Sequence, residues 1–263
     1  MPDGLNHPPE LAPPNPLLLL AEGRALLEVG LGLATAPLFR LAPRGDGHPV
    51  LVLPGFMASD RSTGHLRDVL TKLGHAAEGW DLGRNTGGIA RLRELLFARL
   101  DALAQKTGRR VSLVGWSLGG VLARDLALHR PAYIRQVITL GSPFSGDIGA
   151  NNVRRLYEMV AGEPIRRRPD AAHVARLAGD LGMPATAIFS KTDGVVNWRT
   201  CVLTPGPQAE NIEIRGASHM ALGFNPAALW AVADRLAQGE GVFTRFAKGG
   251  PFGPAYGKED GVV

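Results

Sequence analysis

The feature that most constrains this chain is a series of short, unbroken apolar runs set between segments of helical spacing. Val50-Leu51-Val52-Leu53 offers no polar face to solvent, so it suits a strand covered on both sides, as in a parallel sheet. Residues 111–114, 135–140, 185–190 and 211–214 also read as strands, and 75–80 as a weaker one. Between them, Leu66, Val69, Leu70 and Leu73 recur at helical intervals, with Gly74 as a stop. Leu92, Leu95, Leu96, Leu100 and Leu103 form one stripe over 91–106, and 118–128 and 226–236 are further helical patterns. Such alternation predicts an α/β domain, a mostly parallel sheet with helices on both faces. A 263-residue chain that is 45% hydrophobic and 20% charged is long enough to close one core of that kind.

Residues 41–240 carry this pattern, and both ends depart from it. Residues 1–16 are proline-rich and read as an extended leader. Residues 17–39 are apolar apart from Glu22, Arg24 and Glu28. A membrane span would hold those charges at about 2.5–3.5 kcal/mol each near the bilayer centre, which disfavours a crossing. Residues 1–40 are therefore expected to be a leader and a helix docked on the domain, with a helix lying on a membrane surface as the alternative. No Lys or Arg precedes Arg24, so the basic start of a secretory signal is missing. The chain reads as cytoplasmic, with peripheral membrane contact through 17–39 left open. Residues 241–263 are glycine-rich and read as a flexible tail. Cys201 is the single cysteine, which excludes an internal disulfide framework and a multi-cysteine zinc site. The net charge of +5 is spread along the chain, so nucleic acid is not an expected partner.

The chemistry concentrates where the strand at 111–114 runs into Gly115-Trp116-Ser117-Leu118-Gly119-Gly120 and then a helical pattern. This is G-x-S-x-G at a strand–turn–helix junction, the context in which the motif presents a serine nucleophile. Its glycines remove Cβ atoms that would collide with the neighbouring strand and helix. The turn puts the Ser117 hydroxyl at the C-terminal edge of the sheet and at a helix N-terminus, whose dipole favours developing negative charge. A serine hydroxyl needs a base to take its proton. Of His7, His48, His65, His75, His129, His173 and His219, only His219 follows the last strand and so reaches the same sheet edge. The imidazole in turn needs an acid to fix its tautomer. Asp193 follows the penultimate strand and is the expected acid; Asp147 competes with it, and Asp180 sits on the intervening segment. The charge on a tetrahedral intermediate requires two N–H donors, Leu118 and one from Pro54-Gly55-Phe56-Met57, expected to be Phe56.

Taken together, Leu53-Pro54-Gly55-Phe56, Gly115-Trp116-Ser117-Leu118-Gly119, Thr139-Leu140-Gly141-Ser142-Pro143, Thr192-Asp193-Gly194-Val195-Val196 and Ser218-His219 resemble the α/β-hydrolase superfamily, on its lipase and esterase side. The resemblance spans residues 50–237. It implies a Ser117 nucleophile, a His219 base, an Asp193 acid and Phe56 and Leu118 as oxyanion donors. The implied activity is hydrolysis of a small-molecule or lipid ester through a covalent acyl-enzyme, with no cofactor and no metal. An acyltransferase using the same triad and a catalytically silent binding domain are the competing expectations. Two departures stand out. Many bacterial lipases have His-Gly where this chain has Pro54-Gly55, and a helix replaces the antiparallel hairpin before Val50, so a reduced sheet of about six strands is expected. Residues 147–183 read as a helical cap. Tyr157, Met159, Val160 and Val174 are its candidate acyl-pocket residues, and Arg154, Arg155, Arg166, Arg167 and Arg168 its candidates for attracting a phosphate, a carboxylate or coenzyme A. Trp80 and Asn85 are candidates for the pocket edge.

Overall fold

The structure, a computed structural model, describes residues 11–147, 149–162 and 171–258. Helices α1 (Pro16–Leu20) and α2 (Ala25–Ala34), joined by a 3-10 turn at Ala21–Arg24, precede the sheet. They are followed by β1 (Pro49–Leu53), α3 (Gly64–Lys72), β2 (Ala76–Gly79), α4 (Ile89–Thr107), β3 (Val111–Trp116) and α5 (Leu118–His129). The chain continues through β4 (Ile134–Leu140), α6 (Arg154–Ala161), α7 (Ala171–Ala178), β5 (Ala185–Phe189), β6 (Ala209–Glu213) and α8 (Pro226–Leu236).

The six strands form one sheet in the order β2-β1-β3-β4-β5-β6, and every neighbouring pair is parallel. The chain reverses its direction of travel across the sheet between β1 and β3. A crevice opens at such a switch point, outside the carboxyl ends of the strands, and that is where open α/β sheets place their sites. Alternation along the strands divides the core in two. Val50, Val52, Val114, Trp116, Ile138 and Leu140 pack with α3 and α8 on one face. Leu51, Leu53, Val111, Leu113 and Val137 pack with α4, α5 and α7 on the other. Each leucine or valine so buried contributes about 1.5–3 kcal/mol.

Three segments differ from expectation. The apolar stretch at 17–39 is not one helix but α1, α2 and 3-10 turns at Ala21–Arg24 and Ala36–Leu41. It lies against the domain with Glu22 and Phe39 buried, while Leu17, Leu20, Leu26 and Leu27 point outward, each more than 70% exposed. The cap at 147–183 is two short helices rather than one helical segment, because Gly162 turns left-handed at the end of α6, with φ of 69°. Arg166, Arg167 and Arg168 fall outside the described residues. The glycine-rich end is tied to the domain at two points while most of residues 241–258 stay exposed or half-buried. Phe246 and Tyr256 are buried, the Phe246 N–H donates to Glu210 Oε2 (2.8 Å), and the Tyr256 hydroxyl donates to the Ala227 carbonyl (3.0 Å). Two aromatic anchors offset the chain entropy that the intervening glycines lose on ordering.

Candidate active site

Ser117 stands between β3 and α5 in a backbone conformation that side-chain-bearing residues rarely adopt, φ 53° and ψ −123°. The flanking glycines permit it. A Cβ on Gly119 would lie 2.2 Å from the Leu53 carbonyl oxygen, and one on Gly115 would lie 2.4 Å from the Gly119 oxygen. The Ser117 N–H is held by the Leu140 carbonyl at 2.8 Å. Strain of this kind persists where the surroundings over-determine it.

Three side chains predicted from separate loops meet here. The Ser117 hydroxyl donates to His219 Nε2 at 3.0 Å, and His219 Nδ1 donates to Asp193 Oδ2 at 2.6 Å. A carboxylate only accepts, so Nδ1 carries the proton and Nε2 is left to receive one. Asp193 is itself fixed, its Oδ1 accepting from the N–H groups of Val195 (2.8 Å) and Val196 (2.7 Å). Trp116 donates its indole N–H to the His219 carbonyl at 3.1 Å, which pins the histidine loop to β3. Burial opposes charge on the His219 imidazole, but the Asp193 carboxylate, its hydrogen bond and the charge of Glu22 outweigh it, and the imidazole is held above its ordinary pKa. The competing acids are elsewhere engaged. Asp147 accepts from the Gly149 N–H at 2.9 Å and Asp180 from the Gly182 N–H at 2.8 Å.

The loop after β1 approaches the serine closely, since a Cβ on Gly55 would sit 3.1 Å from Ser117 Cβ. The N–H groups of Phe56 and Leu118 make no hydrogen bond among the described residues. Asn85 holds this loop in place rather than edging a pocket, and it is fully buried. Its side-chain N–H donates to the Pro54 carbonyl (2.8 Å), its side-chain oxygen accepts from Gly87 N–H (3.1 Å), and its backbone carbonyl accepts from Met57 N–H (2.7 Å). Met57 lies at φ 60°, a left-handed conformation that this clamp keeps populated. Trp80 is buried in the core, not at a pocket edge. From the cap, the Tyr157 ring packs on Phe56 with centroids 5.1 Å apart, whereas Met159 is 78% exposed and Val174 is buried. Arg154 and Arg155 face a polar cavity of about 720 Å³ between the cap and residues 11–13, which neither Ser117 nor His219 lines, and Arg154 pairs with Glu158 at 2.8 Å. Among the described residues, no group of three or more His, Cys, Asp or Glu side chains is placed to hold a metal ion.

Three polar residues that in sequence only interrupt an apolar segment reach this site. Glu22, Arg24 and Glu28 all bond to the loops carrying Asp193 and His219. Their signal was present as charge inside an otherwise apolar segment, which requires buried partners if the helix docks.

Among solved structures, lipase B of Aspergillus fumigatus superposes with a TM-score of 0.57 at 16% identity, covering 76% of this chain and 57% of that one. The monoacylglycerol lipase of Paleococcus ferrophilus gives 0.52 at 13% identity, covering 74% and 96%. The chain has the α/β-hydrolase fold. An α/β-superfamily hydrolase of Oenococcus oeni shares this fold as well, with a TM-score of 0.51 at 16% identity over 72% and 91% of the two chains. No family model matches the sequence, and no curated protein does. Within this α/β-hydrolase fold, Ser117 occupies the carboxyl edge of β3 beside the switch point. No helix among the described residues is long and apolar enough to cross a membrane.

Proposed function

We propose that this chain is a carboxylic-ester hydrolase that works through an acyl-enzyme on Ser117. The observation that carries the reading is the unbroken hydrogen-bond chain from Ser117 through His219 to Asp193, 3.0 and 2.6 Å long in its two links. Ser117 Oγ attacks the ester carbonyl carbon as its proton passes to His219 Nε2. The N–H groups of Phe56 and Leu118 receive the oxyanion. Collapse of the tetrahedral intermediate expels the alcohol, which takes the proton from Nε2. His219 then deprotonates a water that attacks the acyl-enzyme, and the acid leaves as Ser117 recovers its proton. Asp193 keeps the imidazole in the required tautomer and balances the imidazolium charge in both halves.

The lipid end of the ester range is favoured by the outward leucines of residues 17–39, which suit contact with a lipid surface. Two of the structures sharing the fold are named as lipases, which supports the same preference. Hydrolysis of p-nitrophenyl esters from acetyl to palmitoyl, by wild type and Ser117→Ala together, tests the proposal. Activity lost in the variant is expected, and activity retained in a pure sample refutes it. Dominant formation of a new ester in the presence of an added alcohol would favour an acyltransferase instead. Flotation with liposomes, comparing wild type with Leu26→Ser/Leu27→Ser, tests the surface contact; equal partitioning removes it.

A further inference from the structure

The charged residues of the N-terminal segment converge on two loops that are far away in sequence. Glu22 accepts three backbone N–H bonds. Its Oε1 receives those of Gly194 (2.8 Å) and His219 (3.0 Å), and its Oε2 that of Met220 (2.9 Å). A single carboxylate therefore bridges the residue after Asp193 to His219 itself. Arg24 repeats the bridge two residues earlier on each loop, with one terminal nitrogen donating to the carbonyls of Thr192 (2.7 Å) and Ala217 (2.9 Å). Glu28 accepts from Ser218 N–H at 2.8 Å and from the Asn225 side chain at 2.9 Å. Gly194 allows this approach, because a Cβ there would lie 2.2 Å from the Leu18 carbonyl oxygen.

Glu22 is buried, and burying a carboxylate is costly unless it is fully hydrogen-bonded. The segment spends its polar groups on these loops while leaving its leucines in solvent, the reverse of what packing alone would select. We infer that Glu22 is a positioning residue, which with Arg24 clamps the acid and base loops together and sets the Asp193–His219 geometry. The inference rests on the serine-hydrolase reading of the same site. The charged groups facing the histidine are Asp193 from the β5 loop, and Glu22, Arg24 and Glu28 from the N-terminal segment. Glu22 adds negative charge beside an imidazole that must be neutral to act as base. Removing that charge favours the neutral form and moves the acid limb of activity to lower pH.

The test compares wild type, Glu22→Gln, Glu22→Asp and Arg24→Met, with p-nitrophenyl butyrate as substrate and a fluorophosphonate as label for Ser117. For Glu22→Gln we expect kcat to fall roughly ten- to a hundredfold with KM little changed, because a mispositioned base slows chemistry more than binding. Its kcat/KM acid limb should shift to lower pH, and Ser117 should label more slowly. Glu22→Asp keeps the charge one methylene short, so it should lose kcat while holding the wild-type limb. Wild-type kcat and an unmoved limb in Glu22→Gln would overturn the inference, as would equal losses in both Glu22 variants with no shift of the limb. If Glu22→Gln does not fold, Glu22→Asp and Arg24→Met decide, and full kcat in both overturns the clamp. NMR titration of the His219 imidazole reads the coupling without turnover. Failure of wild type to label at Ser117 would therefore sink the hydrolase reading, while the His219 titration would still judge the clamp.

Discussion

Replacing Asn85 by leucine separates the stability of the loop after β1 from its role in catalysis. The side chain is fully buried and makes two hydrogen bonds, to the Pro54 carbonyl at 2.8 Å and from the Gly87 N–H at 3.1 Å. Leucine has nearly the same volume, so little cavity is left, but both backbone groups lose their partners inside the protein. Each buried group left unpaired costs about 1–3 kcal/mol, partly offset by the apolar burial of the leucine, for a net loss of about 2–4 kcal/mol. In a chain of this size each kcal/mol lowers Tm by about 2–4 °C, so Tm should fall by roughly 5–15 °C. The kinetic effect is separate. The side chain fixes Pro54, next to Gly55-Phe56, while the Asn85 backbone carbonyl that holds Met57 at φ 60° survives the substitution, so the loop is loosened at its Pro54 end. Displacing the Phe56 donor should cost about 100- to 1,000-fold in kcat, with KM nearly constant, because the donor meets an oxyanion that exists only along the reaction. Thermal unfolding and steady-state esterase kinetics on the same preparation check both numbers. A Tm that falls as expected while kcat stays within about threefold of wild type would refute the argument that this side chain sets the oxyanion donor.

Gly119→Ala should fail to accumulate as folded protein or lose more than about 10 °C in Tm, since its Cβ would sit 2.2 Å from the Leu53 oxygen and 2.8 Å from the Pro54 oxygen, both backbone atoms. A stable, active alanine variant would contradict that packing. Arg235→Met should destabilise by about 3–5 kcal/mol in denaturant titration, because it strands the buried Glu210 carboxylate that Arg235 Nη1 pairs with at 2.7 Å. Glu210→Gln added to it should recover part of the loss, and equal stability of wild type and Arg235→Met would argue against the pair. His75 is buried with neither ring nitrogen bonded among the described residues, beside His48, Asp46 and Arg135, and burial pulls its pKa down from 6.5 to about 4. The unfolded chain then binds the extra proton first, so stability should fall as pH drops from about 6.5 to about 4, and His75→Leu should flatten that slope in Tm measured at pH 7 and 5.

Helix α8 shows what local chemistry makes legible. Asn225 accepts from the N–H groups of Ala227 and Ala228 and Pro226 occupies the first turn, so both signals lie next to the helix they start. The glycine-flanked Ser117 is similarly local. Asp193 and His219 were placed by chain order along a parallel sheet, and that topology brings them to 2.6 Å of each other. Asn85 stands out less clearly, because nothing near it in sequence says that its partner is the carbonyl of Pro54, 31 residues earlier. Glu22 is the extreme case. Within its own helix a carboxylate reads only as a cost, and its three partners lie 172 to 198 residues away. The division of the cap at Gly162 is hidden for a milder reason, since a glycine inside a helical pattern signals a stop only weakly.

The same distance has a consequence during synthesis. The residues that receive Glu22 are made long after it, 197 positions later in the case of His219. At about 5–20 residues per second, the leucine-rich segment waits roughly 10–40 s on the ribosome before its docking loops exist. Through that interval its apolar face is available to chaperones, to lipid or to other nascent chains. Completion of the β5 and β6 loops is thus the step that docks the segment's charges and, in the same event, assembles the site, while the leucines stay outward.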